Sequence, residues 1–171
     1  GTAKWSNSNQ FTGTATTAEI KNAAVFTPLA GSLATAATYF GNSHGTHATP
    51  ISATCQRNFV LLATDGNPTG KTDGSMYSLA EQANSYDAGT ATWTFSTAAG
   101  HVFDRITALR NLALTNAGAL NGAYDVQTYV IGLGDSVANA SSVAALNRMA
   151  VLGGTTSAYL AADSGSLGVA F

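Results

Sequence analysis

The sequence predicts an α/β fold of three layers, in which a doubly wound, mostly parallel sheet carries helices on both faces. The run from Asn58 to Gly66 is apolar without alternation until it ends on an acid and a glycine, which is typical of a strand buried on both faces. The segment from Val126 to Gly134, which ends in Gly-x-Gly, is predicted to be the second buried strand. Segments with helical spacing alternate with these runs, and that alternation indicates right-handed crossovers in one parallel sheet.

The first helix is predicted from Thr27 to Phe40, after a Thr- and Ser-rich stretch (residues 1–24) that has no clear period. Thr27 suits the N-cap, and Pro28 suits the first helical position. Apolar side chains recur at helical spacing at Leu29, Leu33, Ala36, Ala37 and Phe40. This single stripe predicts a helix that packs one face against the core.

Residues 67–102 form a long polar insertion within a single domain of residues 1–171. Structureless loops beyond about 12–15 residues are uncommon unless they are functional. A short helix around Ser75–Tyr86 is expected to fill part of the insertion. Trp93 and Phe95 alternate with Thr, which predicts a short strand or an exposed aromatic patch.

The C-terminal half continues the alternation of helices and strands. The predicted elements are a helix over Phe103–Asn116, the strand over Val126–Gly134, a helix that opens at Ser141 or Ser142 and closes at Gly153-Gly154, a strand over Ser157–Ala162, and the beginning of a helix over residues 163–171.

Composition limits the function classes that need to be considered. Charged residues make up 9% of the chain, against roughly 25% in typical soluble proteins. A net charge of −2 gives no electrostatic basis for nucleic-acid binding, and no apolar run approaches the roughly 20 residues of a membrane span. The polar residues are mainly Thr, Ser, Asn, Gln and Gly, which is common in secreted and surface-exposed bacterial proteins.

Asp65 is the most informative position, because ligands of parallel sheets bind at the carboxyl ends of the strands. It stands at that end of the first strand, and Gly66 allows the chain to turn away sharply. A carboxylate there is either a metal ligand or the cap of the following turn.

Several segments resemble a known family. Thr27-Pro28-Leu29 opening a helix, and a strand ending in Thr64-Asp65-Gly66, look like two of the three metal-site segments of a von Willebrand factor A domain. The similarity extends to the A domain of the type IV pilus tip-associated adhesins, and it covers roughly residues 24–171. The further segments that carry it are Cys55–Gly66, Asp125–Asp135, Leu146–Ala150, Gly153–Thr155 and Ala158–Asp163.

The resemblance implies a metal-ion-dependent adhesion site. Thr27 would give its hydroxyl, and Asp65 its carboxylate, to Mg²⁺ or Ca²⁺, which prefer oxygen ligands. The ion would keep an open position for an acidic group of a protein or host-surface ligand. The implied role is adhesion or type IV pilus assembly alongside pilins or minor pilins, with no bond-breaking chemistry.

The first segment of the family's site, Asp-x-Ser-x-Ser, is absent from this sequence. The nearest match, Asp73-Gly-Ser-Met-Tyr77, has Tyr in place of the last Ser and is interpreted as a loop. The fold is therefore expected to be incomplete. The favoured explanation is a fragment of a longer polypeptide, and the alternatives are a separate chain that supplies the missing strands or a variant without the metal.

Cys55 is the single cysteine of the chain. It is expected to be either a buried or half-buried thiol or one half of a disulfide whose partner lies outside this chain. A catalytic thiol is disfavoured, because the sequence places no base near it.

The remaining candidates are weak, and the chain is expected not to be an enzyme. His44 and His47 lack a third ligand nearby, the Gly-x-Gly at Gly132 lacks the rest of a dinucleotide motif, and Arg110 and Arg148 are expected to face solvent. Two alternatives to adhesion remain: a structural module of a filament or larger surface assembly with no metal site, and an α/β enzyme or nucleotide binder.

Overall fold

The computed structural model describes residues 27–41, 48–65, 67–73, 75–115 and 117–162, with the side chains of residues 135 and 136 left aside. The predictions for residues 1–24, for His44 and His47, and for the helix beginning at residue 163 lie outside the described residues.

The described part of the chain alternates short strands with four α-helices. The helices are α1 (Leu29–Phe40), α2 (Leu79–Gln82), α3 (Thr97–Arg110) and α4 (Ala140–Leu152). The strands are β1 (Asn58–Thr64), β2 (Ser85–Asp87), β3 (Thr92–Thr94), β4 (Leu112–Leu114), β5 (Gly122–Tyr124), β6 (Val126–Leu133) and β7 (Tyr159–Ala161).

The central sheet is parallel and has the order β1-β6-β7. Asn58 pairs with Val126 at one end of the β1–β6 ladder, and Ile131 pairs with Tyr159 where β7 joins. The α/β class and the parallel sheet predicted from sequence are thus confirmed. Both crossovers step in the same direction across the sheet, so right-handed connections bring α3 and α4 to the same face.

The larger hydrophobic cluster of the described residues lies between this face and helices α1, α3 and α4. Leu62 of β1 and Val126 and Val130 of β6 are buried with residues from α1, α3 and α4. The helical members of this cluster are Leu29, Ala30, Leu33, Val102, Ile106, Leu109, Ala145, Leu146, Met149 and Ala150. The stripe predicted for the first helix is therefore confirmed as its core-facing side at Leu29 and Leu33.

The other face of the sheet is open at β1. The prediction that this strand is buried on both faces is wrong, because burial alternates along it. Phe59 is 49% exposed and Leu61 is 57% exposed, and the Phe59 ring contacts only its neighbour Tyr129 at 5.8 Å between centroids among the described aromatic rings. Helices α1, α3 and α4 share their core with the opposite face, so none of these three covers Phe59 and Leu61.

The helix predicted over Phe103–Asn116 is α3, and it lies earlier in the chain than predicted. It begins at Thr97, after the N-cap Ser96, whose hydroxyl accepts a hydrogen bond from the Ala99 N–H (3.1 Å). It ends at Arg110, and Leu112–Leu114 forms β4 in an antiparallel pair with β5. The apolar spacing of Leu112–Leu114 is compatible with a helix and with a strand. The segment forms a strand because it pairs with β5.

Two small elements occupy the segment between β1 and α3. Helix α2 is capped by Ser78, and a hairpin joins β2 to β3, where Trp93 pairs with Tyr86. The short helix and the short strand at Trp93 predicted for this segment are therefore present.

Candidate functional site

Asp65 follows β1 directly, as the sequence predicted, and its side chain is exposed. Among the described residues its carboxylate has neither a hydrogen-bond partner nor an ion-pair partner. The alternative interpretation, in which Asp65 caps the following turn, therefore finds no support in these contacts.

Thr27 is fixed by its backbone. Its N–H donates to the Thr69 hydroxyl (2.7 Å), and its carbonyl accepts from the N–H groups of Leu29 (3.0 Å), Thr69 (3.1 Å) and Gly70 (3.3 Å). The Thr27 hydroxyl makes no hydrogen bond to a described residue. The predicted N-cap role of Thr27 is wrong: Pro28 occupies that position, with no side-chain cap, because the Thr27 backbone is held by residues 69 and 70.

These contacts bring Thr27 to the end of the sheet where β1 stops. Thr69 lies four residues beyond Asp65, and four residues span at most about 14 Å even when fully extended. Thr27 is hydrogen-bonded to Thr69 at both its N–H and its carbonyl. Thr27 is therefore held by the loop that follows β1 and begins at Asp65.

The loop that holds Thr27 is itself anchored in the interior. The Tyr77 N–H donates to the Thr69 carbonyl (2.9 Å), and the Tyr77 side chain is 1% exposed. Its hydroxyl hydrogen-bonds His101 Nδ1 at 2.6 Å. Burial raises the pKa of Tyr77, so the phenol stays protonated at neutral pH. His101 lies within α3 and ties this loop to the helix layer.

Asp73 has a local structural role in the same loop. Its Oδ1 accepts hydrogen bonds from the Ser75 hydroxyl (2.7 Å) and the Ser75 N–H (2.9 Å). These two bonds lower the pKa of the Asp73 carboxyl. The interpretation of Asp73–Tyr77 as a loop is confirmed.

The candidate ligands are both oxygen donors, the type that a hard cation prefers. They are one carboxylate, from Asp65, and one hydroxyl, from Thr27, and Mg²⁺ and Ca²⁺ prefer such oxygen ligands. Six to eight ligands complete such a site, so water, a partner or further protein oxygens must provide the others. Within the described ranges no three His, Cys, Asp or Glu side chains are grouped closely enough to hold a metal ion.

Arg110 has a structural role that the sequence did not predict. It was expected to face solvent, but its Nη1 lies 2.9 Å from Asp125 Oδ1 and is buried. The guanidinium lies where a side chain at Gly154 would be, and Gly154 has φ of +88°. No local signal marks this contact, since residues 110, 125 and 154 belong to different segments.

Cys55 is exposed, so the prediction of a buried or half-buried thiol is wrong. It lines a cavity of about 420 Å³ at the amino-terminal end of β1, together with Arg57 and Asp125. The alternative, a disulfide to a partner outside the chain, stays a prediction.

Comparison of the chain with protein-family models, with curated proteins and with solved structures finds no match. In the part of the chain that the structure describes, no helix combines the length and the apolar character that a membrane crossing requires.

Proposed function

We propose that this chain is a cell-surface adhesion module that binds its partner through a divalent cation held by Thr27 and Asp65. One observation carries the proposal: the backbone of Thr27 is hydrogen-bonded to the loop that follows Asp65, and neither the Thr27 hydroxyl nor the Asp65 carboxylate has a partner among the described residues. When bound, Mg²⁺ or Ca²⁺ would supply a Lewis-acid site for a carboxylate of the partner. Thr27 and Asp65 would anchor the ion and leave its outer position free.

The fold that this proposal requires is the three-layer A-type fold. The resemblance of Thr27–Leu29 and Thr64–Gly66 to two of the three metal-site segments supports it. In such a fold further strands extend the sheet beyond β1, and their helices cover its open face. Either the rest of a longer polypeptide or another subunit would supply them, along with the missing Asp-x-Ser-x-Ser ligands.

The proposed setting is extracellular. The low content of charged residues supports it, as does the resemblance to pilus tip-associated adhesins. The partners would then be a protein or host-surface ligand on one side, and pilins or minor pilins on the other.

Cation-dependent thermal stability tests the proposed site. A ligand present at 100 times its dissociation constant stabilises the native state by about 2.7 kcal/mol, so Mg²⁺ or Ca²⁺ should raise the melting temperature of the protein by several degrees. Asp65→Ala and Thr27→Ala should each abolish this increase. Asp104→Ala, which removes an exposed carboxylate from α3, is the matched control and should retain it.

The proposal fails if neither cation shifts the melting temperature of the unsubstituted protein, or if the shift survives both substitutions. An equal loss in the Asp104→Ala control would also contradict it, because the effect would then be general charge screening.

The open face of the sheet favours a second candidate, a structural module of a filament or larger surface assembly. Parallel sheets are normally covered on both faces, and Phe59 and Leu61 are about half exposed. A neighbouring subunit seated on this face would bury them, without any need for a metal ion.

A further inference from the structure

A second candidate binding site lies on the outer side of α4, away from the core. The hairpin strand β3 and the outward face of α4 enclose an open groove of about 840 Å³. This volume is within the range of small-ligand sites, about 300–1,000 Å³.

The hairpin that forms one wall is held in place by Asn84. The Asn84 side-chain amide donates to the Ser141 carbonyl in the first turn of α4 (3.3 Å). Its Oδ1 accepts from the Ser96 N–H, at the N-cap of α3 (2.9 Å). The groove is therefore built from elements tied together by hydrogen bonds to a single side chain.

The walls of the groove are mainly apolar. Trp93 and Phe95 line one side, and Val143 and Val151 line the side formed by α4. The Trp93 ring packs against the Tyr86 ring, with 5.0 Å between the ring centroids. Val151 is 50% exposed, so α4 presents apolar side chains to solvent as well as to the core.

The polar groups that remain free in the groove are hydrogen-bond donors. Asn147 uses its Oδ1 to accept from the Ala158 N–H (3.0 Å), and its NH₂ group makes no hydrogen bond to a described residue. Arg148 lines the groove and has no ion pair or hydrogen bond among the described residues. Arginine carries donors and no acceptor, and its fork of N–H groups matches a carboxylate.

We propose that this groove binds the free carboxyl terminus of a peptide chain that ends in an apolar residue. Arg148 would pair with the terminal carboxylate, and the Asn147 amide would donate to a neighbouring backbone carbonyl. The terminal side chain would pack against Trp93 and Phe95. A peptide terminus matches the site better than a fatty acid, because it offers a second acceptor beside the carboxylate for Asn147.

Fluorescence of Trp93 gives a direct readout, because Trp5 is the chain's other tryptophan and can be replaced by Phe. The probe is N-acetyl-Ala-Ala-Phe with a free carboxylate, titrated into the Trp5→Phe protein. A saturable change in Trp93 emission is expected. The same peptide with a C-terminal amide should bind at least about ten-fold more weakly, since hydrogen bonds to charged groups contribute about 1.5–3 kcal/mol.

Two substitutions at the groove should weaken binding without disturbing the core. Arg148→Gln removes the cation and should lower the affinity at least about ten-fold. Val151→Glu places a carboxylate on an exposed position three residues along α4, where it should compete with the ligand for Arg148. Arg105→Gln, at an exposed arginine of α3 that does not line the groove, is the matched control and should bind like the unsubstituted protein.

The proposal is overturned if no saturable change appears up to about 10 mM peptide, a concentration that would detect millimolar affinity. It is also overturned if the amide binds as well as the acid, or if Arg148→Gln and Val151→Glu leave the affinity unchanged while their circular dichroism is native. Saturable binding of decanoate in place of the peptide would contradict the peptide assignment.

Discussion

At the scale of single residues, the clearest constraint lies where α4 ends. The Gly153 carbonyl accepts a hydrogen bond from the Thr128 N–H of β6 (2.9 Å). A Cβ at Gly153 would collide with the Thr128 carbonyl oxygen and lie 2.9 Å from Thr128 Cβ. Glycine at this position therefore lets the end of α4 contact the central strand.

Gly153→Ala is expected to destabilise the protein by about 1–3 kcal/mol, the usual cost of overpacking. Gly100→Ala is the matched control, because a Cβ at Gly100 of α3 meets nothing within 4 Å and alanine is the better helix former by roughly 0.5–1 kcal/mol. Urea unfolding of both variants measures the difference. Equal stabilities would show that the contact with Thr128 has no energetic role.

The sequence indicates the position of these glycines but not their reason. Gly153 and Gly154 were predicted to close a helix, and they do so. The contacts with Thr128 and Arg110 depend on how β6 and α3 pack, and no local pattern encodes them. Asp65 differs in this respect, because a strand end and an acid are both visible in the sequence.

At the scale of elements, α2 shows how a four-residue helix is held in a polar segment. The Ser78 hydroxyl accepts from the Glu81 N–H, and the Glu81 carboxylate accepts from the Ser78 N–H, which is a complete capping box. The Lys71 ammonium lies 3.0 Å from Glu81 Oε1. The backbone hydrogen bond from Ser78, with help from its side chain and from Lys71, lowers the pKa of Glu81 to about 2.

This lowered pKa sets the pH range in which the cap holds. The ordinary pKa of a glutamate is 4.5, so the cap contributes fully above that pH and is lost as the pH falls through the folded-state value of about 2. The amide signal of Ser78, followed by NMR during acid titration, should therefore move with a midpoint near 2. A midpoint at the ordinary glutamate value would mean that the cap is not formed in solution.

Helix α3 begins at Thr97, six residues before the predicted start at Phe103, because its N-cap is Ser96. Ser96 is a good N-cap residue, yet it stands at the end of a Thr-rich stretch in which several residues qualify. The Asn84 side chain fixes the choice by accepting a hydrogen bond from the Ser96 N–H. A contact across 12 residues of sequence cannot be read from a helical period.

At the scale of the whole molecule, the parallel sheet has one face in the core and one face open at β1. The sequence predicted β1 and β6, their parallel arrangement and the apolar core, because these follow from apolar segments that alternate with segments of helical spacing. It did not predict the open face. An apolar run does not show whether one or both faces of its strand are buried. That depends on which other elements of the fold pack against each face.

Substitution of two neighbouring residues of β1 should separate the two faces. Leu61 is 57% exposed, whereas Leu62 is 8% exposed. Leu61→Lys should leave the melting temperature nearly unchanged and reduce self-association in sedimentation velocity experiments. Leu62→Lys should unfold the protein, because it places a charge in the core. Unfolding by Leu61→Lys would show that the open face is covered in solution.

The candidate metal site depends on the tertiary fold. Its two residues come from separate segments, and Thr69 and Gly70 hold Thr27 against the loop that follows Asp65. The sequence identified both through the resemblance and through the position of Asp65. The hydrogen bonds from residues 69 and 70 that place Thr27 had no signal in the sequence.

The most direct test of the metal-site proposal is to locate the cation. Mn²⁺, a paramagnetic substitute for Mg²⁺, broadens the NMR signals of nuclei close to it. Substoichiometric Mn²⁺ should broaden the backbone amide signals of Thr27, Asp65 and Thr69 first, and Asp65→Ala should remove this effect. Broadening confined to other carboxylates, such as Asp87 or Asp104, or broadening at Thr27 that survives Asp65→Ala, would contradict the proposed site.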